Sequence, residues 1–124
     1  MKIDCDLYPF VPKLMLFHSK KKCKRWCIDE LGCIPDLIDG ADAQTMYHDG
    51  TAIVLFTVTE DETWENALLV HESYHVVCDH LEALGETDAG EEITAYMIQC
   101  VSGALMDAHR RWREKHVSVE ERQQ

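Results

Sequence analysis

Between Trp26 and His109 the chain has no lysine and no arginine. That segment nevertheless holds 18 of the 23 carboxylates, and the formal net charge of the whole chain is −11. A surface of this sign repels phosphate backbones, which excludes nonspecific nucleic-acid binding and makes nucleic acid an unexpected partner. No guanidinium from the segment can stabilise a developing oxyanion, so tyrosine or histidine must do so if anything does. A cleft lined by it favours neutral or basic substrates.

Other absences narrow the class further. No apolar run approaches membrane-spanning length, so no membrane association is expected. Internal repeats and low-complexity segments are missing. Pro9 and Pro12 interrupt the apolar stretch near the start, and no small-residue cleavage site follows, which argues against a secretory signal. The expectation is one cytoplasmic domain over residues 1–124, with a modest core and a polar tail from about residue 117. In that compartment the six cysteines stay reduced. Cys5, Cys78 and Cys100 read as small apolar packing residues. Cys23, Cys27 and Cys33 are spaced C-x3-C-x5-C, which lacks an obvious fourth metal ligand, so packing is the favoured reading there too.

What the chain does have is a pentad. His71, Glu72, Ser73, Tyr74 and His75 spell H-E-x-x-H. On a helix, positions i and i+4 share a face, so both imidazoles can point at one metal ion while the glutamate reaches a water beside it. Trp64 to Leu84 contains no Gly or Pro and is rich in Leu, Val and Ala, which predicts that helix. Thr63 or Asp61 can cap its start, and Gly85 sits where a left-handed residue ends a helix. Its apolar residues lie on several sides, so it is expected to be central. The plain alternative is three surface residues on an amphipathic helix.

A catalytic zinc takes three protein ligands and one water. Downstream candidates for the third are His80, Glu82, Glu86, Asp88, Glu91, Glu92 and His109. A second helix is predicted from Ala89 to about Lys115, with Asp88-x-x-Glu91 as a capping box that leaves Glu92 free to face inward. Ala95, Tyr96 and Gln99 follow on roughly that face. If both helices were straight and antiparallel, His75 would lie ~14 Å from the turn and Glu92 only ~5 Å. The expectation is therefore an early stop of the first helix, near Asp79 to Leu81, or a bend or steep crossing.

The pentad followed by a helix carrying Glu92-x-x-Ala95-Tyr96 resembles the gluzincin group of zinc metallopeptidases. The span, about residues 64–110, is most similar to the minigluzincins, to metallopeptidases that cleave phage repressors, and to small phage and prophage H-E-x-x-H proteins. The resemblance implies Zn2+ as cofactor, His71, His75 and Glu92 as ligands, and Glu72 as general base. It implies peptide-bond hydrolysis by an activated water, and a peptide or protein substrate. The group often has Asp or Asn four residues after the ligand Glu, where this chain has Tyr96. Asp79 is the substitute candidate for orienting a ligand histidine. For an oxyanion, Tyr96 is the first choice among Tyr96, Tyr47, His48, Tyr74 and His80. The competing function is a catalytically weak or inactive zinc-binding interaction protein on the same scaffold, gripping a host or phage protein. An iron-carboxylate helical protein needs paired E-x-x-H motifs, and Glu72-x-x-His75 occurs once.

The rest of the chain predicts an α+β fold: a minimal zincin-like domain with a small antiparallel sheet or hairpin on the active-site helix and a long following helix. Residues 1–17 read as extended, Lys20–Leu31 as a short helix and Gly32–Gly40 as a loop. Gln44–Tyr47 and Thr51–Thr59 read as strands joined through His48-Asp49-Gly50, a hairpin signal. In the resembling group a strand before the active helix pairs with an extended peptide, a role that Thr51–Thr59 is placed to take. The basic residues fall in two clusters, Lys20, Lys21, Lys22, Lys24 and Arg25, then Arg110, Arg111, Arg113 and Lys115. The second suits the negative end of a helix, and the first reads as a solvated loop.

Overall fold

A computed structural model describes residues 1–3, 7–57 and 61–123, with side chains as far as His116. The fold is α+β. Strands β1 (Lys2–Ile3), β2 (Lys13–Phe17), β3 (Ala43–His48) and β4 (Thr51–Phe56) form one sheet in the order β1-β2-β4-β3. Helix α1 (Lys20–Trp26) runs on through a π-helical turn, Cys27–Leu31, and ends at Gly32, whose φ is +69°. Helices α2 (Glu62–Ala83) and α3 (Glu91–Gln123) follow the sheet.

The sheet is mixed, which departs from the expected antiparallel arrangement. β1 pairs antiparallel with β2 and β3 with β4, but β2 and β4 run parallel, with Leu14 opposite Ala52 and Leu16 opposite Val54. A parallel pair needs a long crossover. Here α1, the loop after it and β3 supply that connection. The hairpin between β3 and β4 matches its sequence signal: Asp49 and Gly50 both have positive φ, +49° and +79°, as a two-residue turn of the primed type requires. Strand β4 ends at Phe56; Val58 and Thr59, expected in the same strand, lie outside the described residues.

Alternation along β2 and β4 divides the core. Leu14, Leu16, Ala52, Val54 and Phe56 face α2 and α3, where they meet Leu69, Val76, Val77, Met97, Val101, Leu105 and Ala108. Met15, Phe17, Ile53 and Leu55 face the opposite side and are covered by Cys23 and Cys27 of the α1 segment, with Trp26 and Leu31 at the margin. β4 is thus buried on both faces, which its uninterrupted apolar run anticipated. Each fully buried Leu, Val or Phe here contributes about 1.5–3 kcal/mol of transfer free energy. Cys23 and Cys27 are packing residues, and burial pushes the Cys23 thiol up to about 12. Cys78 and Cys100 are half-buried, and Cys5 lies outside the described residues. Among the described residues no helix is long and apolar enough to cross a membrane.

Candidate functional site

Asp61 caps α2 by accepting from the Trp64 amide at 2.9 Å. From that start the helix buries one stripe, Glu65, Leu69, Glu72, Ser73, Val76, Val77 and His80. His71 and His75 lie on an exposed flank beside it. Trp64 and Leu68 precede them on the same flank at helical spacing. The Nε2 atoms of the two histidines converge to 3.2 Å. Two nitrogens bonded at about 2.05 Å to one tetrahedral ion sit about 3.3 Å apart, so this pair fits two corners of a zinc site. Glu72, next to the pair, is only 5 % exposed and accepts a hydrogen bond from the Thr45 hydroxyl of β3. β3 is an edge strand of the sheet, and its Thr45 side chain reaches the pentad helix.

Asp79 sits one turn beyond His75. Burial raises its pKa, the charge of His75 lowers it, and Glu82 raises it again.

The rest of the expected ligand set is not brought to the pair. α2 does not stop near Asp79–Leu81 but continues to Ala83. It closes in a paired C-terminal motif, with the Glu86 amide donating to the Leu81 carbonyl at 2.9 Å and the Gly85 amide to that of Glu82 at 3.0 Å. Gly85 has φ +72°, as its position predicts. α3 then starts at Glu91, after Gly90 at φ +78°, without the Asp88 capping box; the Asp88 amide instead meets Glu86 Oε1 at 3.4 Å. The inward stripe of α3 is Met97, Val101, Leu105 and Ala108. At about 100° per residue Glu92 lies about 140° around the helix from Met97. Glu92 is accordingly exposed, as is Glu91, and the expectation that Glu92 faces inward does not hold. Tyr96 is half-exposed and packs against Phe10, ring centroids 5.7 Å apart. Among the described residues no group of three or more His, Cys, Asp or Glu side chains is disposed to hold a metal.

Thr51–Thr59 also differs from its expected role. β4 is flanked by β2 and β3, so its backbone groups are taken on both sides. Among the described residues, the strand of the hairpin with an unpaired edge is β3.

Three other polar residues of the sequence reading have fixed duties. His80 Nε2–H donates to the Pro9 carbonyl at 2.7 Å, which leaves Nδ1 to accept from the Tyr47 hydroxyl, also at 2.7 Å. Burial raises the pKa of Tyr47. His109 is buried, and its Nε2–H donates to the Glu65 carboxylate at 3.2 Å. Arg113 Nη1 donates to the same carboxylate at 2.6 Å. Sequence reasoning missed Glu65 altogether. Its signal was a lone acid in the register of Leu69 and Val76, matched by His109 and Arg113 one turn apart on the partner helix.

Comparison with family models, curated proteins and solved structures finds no match to this chain.

Proposed function

We propose that the chain is a small zinc-dependent, metallopeptidase-like protein whose metal is held by His71 and His75. The observation that carries this is the 3.2 Å convergence of the two Nε2 atoms beside a buried, Thr45-anchored Glu72. When bound there, zinc supplies a Lewis acid that polarises a carbonyl and acidifies a water. Glu72 is the proton acceptor: its carboxylate takes a proton from the attacking water and returns it to the leaving amine. Thr45 holds that carboxylate in place. The outer edge of β3 offers backbone groups to an extended peptide, replacing Thr51–Thr59 in that role. Trp64 and Leu68 add apolar surface along the same flank. Glu92 completes the set of ligands only if the start of α3 turns toward α2 when metal enters. A cytoplasmic setting suits the free thiols.

A second reading is favoured by the exposed position of Glu92. A pair of histidines lacking a third ligand from its own chain can take that ligand from a partner protein. The chain would then be a zinc-bridged interaction protein without turnover.

Metal analysis of the purified chain followed by digestion of a diverse peptide library separates the two. The peptidase reading expects zinc and cleavage, with Glu72→Gln keeping zinc and losing turnover. Tight zinc without cleavage selects the interaction reading. Unchanged hydrolysis in Glu72→Gln removes the assigned base.

A further inference from the structure

The fold brings together the two basic clusters that the sequence keeps about 85 residues apart. A cleft of about 500 Å³ opens between the end of β2, the start of α1 and the Arg111–His116 stretch of α3. Lys22 comes from the first cluster, and Arg111 and Lys115 from the second. Its wall is aromatic: His18, Trp112 and His116. No Asp or Glu is among its lining residues, in a chain with 23 acids and 12 Lys and Arg.

The nearby carboxylates are already engaged. Asp107 bonds Arg110 at 2.7 Å and one amino group of Arg111 at 3.1 Å. Glu114 bonds Arg110 at 3.1 Å, and Glu65 takes Arg113. Among the described residues neither Lys22 nor Lys115 has a carboxylate within ion-pair distance. A cleft lined by two unpaired lysines and a partly paired arginine, with no carboxylate in its wall, favours an anion.

We propose that this cleft is a binding site for a small phosphate-bearing ligand, with Lys22, Arg111 and Lys115 as its charge partners. Two ammonium groups and a guanidinium match the charge and the several acceptor oxygens of a phosphate better than a single carboxylate. The wall is rigid. The Trp112 ring is stacked by His18 on one side, centroids 3.8 Å apart, and by His116 at 4.3 Å. His18 is itself fixed by His109, 2.9 Å away, which Glu65 anchors. With His18 and His116 both stacked on it, the Trp112 ring is not free to take a nucleobase. The site recognises the phosphate and not the group that carries it.

Calorimetric titration of the full chain, at matched ionic strength, tests this with four probes: inorganic phosphate, pyrophosphate, AMP and acetate. Saturable one-to-one binding of phosphate, tighter binding of pyrophosphate and no binding of acetate support the site. AMP binding as inorganic phosphate does supports recognition of the anion alone. The Lys22→Ala/Lys115→Ala double variant should weaken pyrophosphate on the order of tenfold or more, the loss of two charge-assisted contacts. Both lysines are exposed, so the melting curve should not move. No saturable binding of pyrophosphate, equal binding of acetate, or undiminished binding by the double variant overturns the proposal. AMP binding far tighter than phosphate overturns its exclusion of a nucleobase.

Discussion

Glu65 of α2 and Arg113 of α3 form an ion pair with the carboxylate 2 % exposed and the guanidinium Nη1 2.6 Å away. With His109 on the same carboxylate, this is the polar fastening between the two long helices. A buried pair contributes little beyond an apolar replacement, but removing one partner strands the other. The buried member is the carboxylate, so Arg113→Ala, which strands it, should lower the unfolding free energy by about 3 kcal/mol, measured by urea denaturation. Glu65→Ala leaves a guanidinium that is 38 % exposed and should cost less, and the double variant should lose less than the sum of the two. Additive losses would show that the contact contributes nothing specific.

His18 gives the molecule an acid-sensitive point. Burial, then the charges of His109 and His116, lower its pKa from 6.5 to about 3. The unfolded chain takes up a proton near pH 6.5 while the folded chain does not until about pH 3. The unfolded state thus binds more protons in that window, and stability should fall as pH drops from 6.5 toward 3. His18→Phe should keep the stack on Trp112 and flatten the stability profile between pH 6.5 and 4. An unchanged slope would assign the acid sensitivity to the carboxylates instead.

Tyr47→Phe removes the only donor to His80 Nδ1 among the described residues, because Nε2–H is committed to Pro9. A buried acceptor without a partner costs about 1–3 kcal/mol. The loss should appear in thermal melts, with zinc binding unchanged, since the pair belongs to the β3–α2 contact and not to the metal flank.

The pentad helix, its Asp61 cap, the Gly85 terminus, the Asp49-Gly50 turn and the buried run of β4 were all legible in the sequence. Each depends on local spacing or on one residue with restricted backbone freedom. What was not legible depends on where two distant segments meet. β2 joins β4 in parallel because α1 folds over Met15, Phe17, Ile53 and Leu55, and no local pattern announces that. The rotation of α3 is the sharper case. Once Met97, Val101 and Leu105 take the core, Glu92 is turned away, whereas the expected Asp88-x-x-Glu91 capping box had left it free to face inward. Glu65 was passed over because a single acid near a helix start reads as a favourable dipole contact until its partners on α3 are seen.

His71 and His75 are exposed, so neither supports the metal-free fold, and His75→Ala should leave its melting temperature where it is. Zinc changes that comparison. A ligand that binds only the folded state stabilises it by RT ln(1 + [L]/Kd), about 2.7 kcal/mol at a hundredfold excess over Kd. The melting temperature of the unaltered chain should therefore rise with zinc concentration, and that rise should vanish in His71→Ala and His75→Ala. Glu92→Gln tells where the third ligand comes from. If α3 turns toward the pair on metal binding, the variant loses much of the zinc-induced shift; if the ligand is a water or a partner's residue, the shift is kept. Equal zinc responses in the unaltered chain and in His75→Ala would remove the metal site, and the peptidase reading with it.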